Sequence, residues 1–142
     1  MLFGNFSIAE IAGIAVALIV GITFHEFSHA AVADQLGDHR PRALGRVSLN
    51  PAAHIDPIGA LVFVIAGFGW GKPVPVNVYA LRPGRVGMAI VAAAGPIANV
   101  MVAVLAVVTE LAFAWLKRRA VSPGLAAPVD TGASGAAAVP AL

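Results

Sequence analysis

The chain has 142 residues, of which 59% are hydrophobic and 11% charged, against roughly 25% charged in an ordinary soluble domain. With a mean hydropathy of +0.88, it holds more apolar side chain than one small core can bury, which excludes a typical soluble globule and points to an integral membrane protein. The net charge of +2 is scattered over short clusters with no basic stripe, so no nucleic acid is expected as partner, and with no cysteine there is neither a disulfide framework nor a thiolate metal site.

Residues 1–5 lack the Lys or Arg of a cleaved secretory signal, so the apolar stretch behind them is read as a retained anchor. A helix is predicted from an N-cap at Ser7, through the uncharged run 11–24 and past His29, to about Leu36, where Gly37 supplies a left-handed C-cap. Such a helix spans a bilayer. Residues 44–49 have the length and β-branched content of a short strand, ended by Asn50-Pro51. The uncharged run 57–71 is short for a span and rich in glycine, so re-entry is preferred over crossing. In 74–78, valines alternate with Pro75 and Asn77, the pattern of an edge strand. The run 86–109, followed by Glu110 and then Lys117-Arg118-Arg119, is the strongest transmembrane helix. Residues 120–142 are Ala, Gly, Pro and Ser with one charge, Asp130, and read as a disordered tail behind a membrane core over 1–119.

The expected fold is therefore an α-helical, multi-pass membrane protein. It has two or three transmembrane helices and a short re-entrant β region between the first and last. If 57–71 re-enters, six basic residues share one face against three on the other, and the positive-inside rule places 37–85 in the cytosol.

Residues 24–29 contain His-Glu-x-x-His. On a helix, positions i and i+4 share a face, so His25 and His29 can direct ring nitrogens at one metal ion, with Glu26 about 100° around and able to take a proton from a metal-activated water. Zinc there would bring the pKa of water from about 15.7 toward 7, ready for attack on a polarised carbonyl. Two histidines and a glutamate at the end of an apolar span are costly facing lipid, so they should face protein or a water-filled cavity. Gly13, Ala17, Gly21, His25 and His29 are successive i+4 positions, as are Gly87, Val91, Gly95, Asn99 and Ala103 in the last run. Both stripes allow close helix packing. Asn99 should point at the first helix, either to bind substrate or activated water or as an interhelical hydrogen bond.

A catalytic zinc takes three protein ligands, and this motif supplies two. The candidate third ligands or site-lining groups are His54 and Asp56, followed by His39, Asp34 and Glu110. Asp34 is off the metal face and Glu110 at the far end of its helix. The plain alternative for His54 and Asp56 is an Asx-type turn before Pro57. Glu10 is accounted for by the dipole at the start of the first helix.

The four ordered segments HEFSH, NPAAHIDPIG, GWGKPVPVN and AAAGPIANV resemble the site-2 protease family of intramembrane zinc metalloproteases, over roughly residues 7–116. The resemblance implies one Zn2+ per active site with His25 and His29 as ligands, Glu26 as the catalytic glutamate, and Asn99 as the Asn of a Gly-Pro-x-x-Asn helix. It also implies a β region whose edges hold a substrate in extended form, a membrane-protein substrate, and residence in a bacterial or archaeal cell membrane. Family members complete the zinc site with the Asp of a downstream Leu-Asp-Gly segment, and nothing after Leu116 resembles it. Three completions follow: a truncated chain, which is preferred; an inactive relative; or an enzyme that recruits His54, Asp56 or a carboxylate of another chain, as in a homo-oligomer. The leading expectation is a zinc endopeptidase cleaving transmembrane or membrane-proximal segments. The alternative is a catalytically inactive zinc-binding module, or fragment, that binds a partner helix. A third is a small helical subunit whose His and Glu line a polar cavity.

Overall fold

The computed structural model describes residues 6–121. Among them, α1 (Ile8–Gln35), α2 (Arg40–Ala43), a 3-10 turn (Pro51–Ala53), α3 (Pro57–Ala66) and α4 (Arg85–Val121) follow one another. They divide into two compact units, the first ending at Val107 and the second beginning at Val108.

The start of α1 is fixed by its side chains. Ser7 Oγ accepts from the Glu10 N–H at 3.3 Å and the Glu10 carboxylate accepts from the Ser7 N–H at 2.8 Å, a reciprocal capping box. Past its last residue, Gly37 takes φ +108° with the Ala80 carbonyl close by, a conformation and an approach that both favour glycine. At about 1.5 Å per residue, the 28 residues of α1 are long enough to cross a bilayer. Both α1 and α4 are long and apolar enough to do so, and little of their most apolar stretches is buried within the chain. The buried core of the first unit is small: Ala33, Leu81 and Val91, with Val32, Leu36 and Val76 packed against it.

The segment 57–71 goes out and comes back. Asp56 accepts from the N–H groups of Ile58 (2.8 Å) and Gly59 (2.9 Å), Pro57 is preorganised for the first helical position, and Gly67 at φ +78° stops α3 after 10 residues. That length is about 15 Å, half a hydrocarbon core. The chain then returns along the helix so tightly that a Cβ on Gly59 would overlap the Trp70 backbone, and one on Gly69 the Gly59 carbonyl. Its base is closed by an antiparallel bridge between Ile55 and Gly71 and a 2.7 Å bond from the Lys72 N–H to the His54 carbonyl.

Neither predicted strand forms: among the described residues that bridge is isolated, and 44–49 and 74–78 are irregular. Their surroundings use side chains where a sheet would use a ladder. Arg46 bonds the Ala53 and Lys72 carbonyls, the Asp38 carboxylate takes the Asn77 N–H, and Pro75 has no N–H to give.

Behind α1, a polar staple joins distant stretches of chain. Asp34 accepts from Arg42 (2.6 Å) and pairs with His39 Nδ1 (2.9 Å). Asp38, almost fully buried, accepts from Arg40 Nε (3.0 Å) and from the Asn77 N–H (2.6 Å), while the Arg82 N–H donates to the Leu36 carbonyl. The Arg40 guanidinium, helped by the Asn77 N–H, holds the Asp38 carboxyl down at about 2.

The described part of the second unit is helical, with the Arg119 guanidinium 4.1 Å from the Trp115 ring centroid. Glu110 belongs to this unit. The helix continues through 120 and 121, the first two residues of the expected tail; the rest of that tail, with Asp130, lies outside the described residues.

Candidate metal centre

His25 and His29 lie one turn apart on α1, their ring centroids 4.6 Å apart and planes at 83°. Each is held by its Nδ1. His29 Nδ1 is 2.6 Å from the Val91 carbonyl of α4. A carbonyl only accepts, so Nδ1 carries the proton and Nε2 of the neutral ring presents a lone pair. His25 Nδ1 faces the Asn99 side-chain amide at 3.2 Å. The amide nitrogen is the atom that faces the ring, so Asn99 donates and His25 Nδ1 accepts; exchanging the amide oxygen and nitrogen by a flip would give His25 the tautomer of His29, the usual one for a metal-ligating histidine.

The two free nitrogens meet at Gly95, where an added Cβ would overlap the Nε2 atoms of both rings. The absence of a side chain at Gly95 thus leaves a cradle between the two Nε2 atoms. Beside it opens a cavity of about 590 Å³ lined by His25, Glu26, Asn99 and Gly71, together with an apolar stripe of α1 that includes Ile14, Leu18 and Ile22. A Cβ on Gly71 would sit 3.9 Å from Glu26 Cγ, so the return strand of the 57–71 hairpin forms one wall next to the glutamate.

Five of the sequence candidates lie elsewhere or are otherwise engaged. The His54 ring is fully buried with Nε2 2.6 Å from the Ser48 carbonyl, and its Nδ1 has no partner. It is the His54 carbonyl, not the ring, that approaches Gly71. Asp56 caps α3, Asp34 and His39 belong to the staple, and Glu110 to the second unit. Among the described residues, no group of three His, Cys, Asp or Glu side chains could hold a metal ion. The donor set therefore fits two ligand positions of a catalytic zinc.

In the sequence, Gly95 and Val91 stand out only as members of a packing stripe, and Gly71 only as one glycine among several. The i+4 register with Asn99 was the available signal for Gly95. A backbone acceptor such as the Val91 carbonyl has no signature in side-chain identity.

Two imidazoles spaced i, i+4 with a glutamate between them, on the wall of a cavity, are the arrangement of metal-dependent hydrolases. Two relatives bear names of that class. The chain is similar to the "Putative zinc metalloprotease YwhC" of Bacillus subtilis, 41% identical over 90 residues, which are 63% of this chain and 41% of that protein. It is similar also to the "Putative zinc metalloprotease Rip2" of Mycolicibacterium smegmatis, 34% identical over 103 residues, 66% of this chain and 39% of the relative. The chain thus spans about two fifths of the length of these relatives. No protein-family model matches it, and no solved structure does.

Proposed function

We propose that this chain carries the metal-binding half of an intramembrane zinc endopeptidase of the site-2 protease type, acting on transmembrane or membrane-proximal segments of other proteins. The observation that carries this reading is the convergence of His25 and His29 Nε2 on the Gly95 cradle, beside the cavity that holds Glu26. A zinc ion bound there would supply Lewis acidity, polarising a peptide carbonyl and acidifying water. Glu26 takes the proton from the attacking water and returns it to the leaving amide nitrogen. Asn99 and the Val91 carbonyl orient the rings through their Nδ1 atoms.

The substrate is held extended. In the Ile55–Gly71 bridge the flanking bond runs from Lys72 to His54, so the N–H and C=O of Gly71 face away from Ile55 and are available to an added strand. This short segment, rather than 44–49 or 74–78, is the edge assigned to substrate. The third zinc ligand is assigned to a carboxylate outside residues 6–121 or on another chain, since Asp56 and the His54 ring are engaged elsewhere. Helices α1 and α4 cross the membrane, the 57–71 hairpin dips in and returns, and the loops within 37–85 face the cytosol with their excess of arginine and lysine.

The test is Glu26→Gln. Zinc content per chain should match wild type, while cleavage of a transmembrane peptide falls by a factor of about 10²–10⁴. Cleavage at the wild-type rate would sink the peptidase reading, and loss of zinc at His29→Ala without loss of cleavage would separate the metal from the chemistry.

A further inference from the structure

Arg46 is 8% exposed, and among the described residues no carboxylate lies within ion-pair distance of it. A buried guanidinium without a counter-ion is destabilising unless strong hydrogen bonds compensate. Its Nη1 makes two, to the Ala53 carbonyl (2.6 Å) and to the Lys72 carbonyl (3.1 Å). Ala53 and Lys72 are the two ends of the hairpin that begins at His54 and returns through Gly71. One nitrogen therefore ties the outgoing and returning strands together just beyond the Ile55–Gly71 bridge.

The consequence falls on Gly71. Lys72 has both backbone groups committed, its N–H to His54 and its C=O to Arg46. The residue before it is thereby fixed in orientation, against Ile22 Cγ2 (3.1 Å from the Cβ position) and Glu26 Cγ (3.9 Å). His54, whose carbonyl accepts from Lys72, is itself held by its Nε2 on the Ser48 carbonyl.

We propose that Arg46 is a positioning residue for the peptidase: it touches neither metal nor substrate, but locks the Gly71–Lys72 backbone at the register at which an extended substrate lies beside Glu26. This rests on the peptidase reading given above. Lysine at 46 would place its ammonium about one bond short of the Nη1 position and supply a point charge in place of the planar fork, so it should restore the clamp in part.

The experiment uses the full chain in detergent, in a Glu26→Gln background, with Arg46, Arg46→Met and Arg46→Lys. Two quantities are measured: amide hydrogen exchange over residues 69–74, and the affinity of a fluorescein-labelled apolar peptide of about ten residues. Losing a charge-assisted bond to Lys72 should speed exchange at its amide about tenfold and weaken the peptide about tenfold in Arg46→Met, with exchange along α1 unchanged. Arg46→Lys should recover part of both. Unchanged Lys72 exchange overturns the clamp, and faster exchange with undiminished peptide affinity overturns its role in substrate register. Exchange that rises along the whole chain, in the lysine as well as the methionine variant, reduces Arg46 to a fold determinant and also overturns the proposal. A Glu26→Gln parent that binds no peptide overturns the peptidase reading itself, and is distinguishable because exchange at Lys72 still decides the clamp.

Discussion

Two polar clusters follow one another along the C-terminal half of α1 and the loop behind it, and they spend their hydrogen-bonding capacity differently. In the staple, Asp34 and Asp38 each take more than one donor, from Arg42 and His39 and from Arg40 and Asn77. Around His25 and His29 each ring uses one nitrogen and holds the other free toward its neighbour. Polar groups buried for stability are saturated. Ring nitrogens left without a hydrogen-bond partner, with a glycine clearing the space between them, leave room for a ligand. The difference separates the two clusters more clearly than their residue types, since both contain histidine and carboxylate.

The contrast is broken most directly at Gly95. Gly95→Ala puts a methyl group where both Nε2 atoms converge, and zinc or cobalt affinity measured by competition with a chromophoric chelator should fall about 100-fold, with helical circular dichroism unchanged. Metal affinity equal to wild type would mean that the two rings do not share a metal.

A smaller effect is expected in the staple, and of a different kind. Asp38→Ala leaves the Asn77 N–H and the Arg40 guanidinium without their acceptor and should cost about 2 kcal/mol of unfolding free energy in a denaturant titration, without changing metal affinity. The same group makes wild type acid-sensitive. Its carboxyl is held at about 2 in the folded chain, below the ordinary aspartate value of 3.8. The stabilisation is therefore fully present above about 4 and is lost as pH falls toward 2. Asp38→Asn should flatten that part of the stability curve, and an identical acid limb in wild type and variant would remove Asp38 from the account.

The smallest effect is expected at Asn99. Asn99→Leu removes the group that faces His25 Nδ1 and should weaken metal binding about tenfold, the usual size for a partner one step removed from the metal. Asn99→Asp, which puts an acceptor at that position and so favours the proton on His25 Nδ1, should retain most of the affinity. Equal losses in both variants would assign Asn99 to helix packing instead.

Much of the fold is legible in the sequence, for reasons visible in particular residues. Ser7 as an N-cap marks the start of α1, Gly37 its end, and the apolar runs both long helices, whereas Glu10, read as a dipole partner, closes a capping box with Ser7. The failure at 44–49 and 74–78 has one cause. Valine content and alternation describe a strand's side chains, whereas a strand exists only if a partner supplies its ladder. Here Arg46 and Asp38, distant in sequence from the carbonyls and N–H groups they bind, take that place. At the site, spacing identified His25, Glu26 and His29 as a set because a helix has one period. It puts Gly95 on the stripe of Asn99 but does not say which of that stripe's residues meets the two rings, since that depends on how two helices are phased against each other. Nor could it reveal that Asp56 is occupied at a helix start, because Asp before Pro fits a cap and a ligand equally well.

The out-and-back path of residues 55–71 has one more consequence. Because Ile55 and Gly71 meet at its base and Arg46 bridges the residues just outside, the stretch between them behaves as a graft whose two cut ends are already joined. Lengthening its tip near Gly67 adds only loop-closure entropy, about 0.6 kcal/mol for each doubling. Insertions or deletions at that tip are therefore expected to leave the wall beside Glu26 as it is.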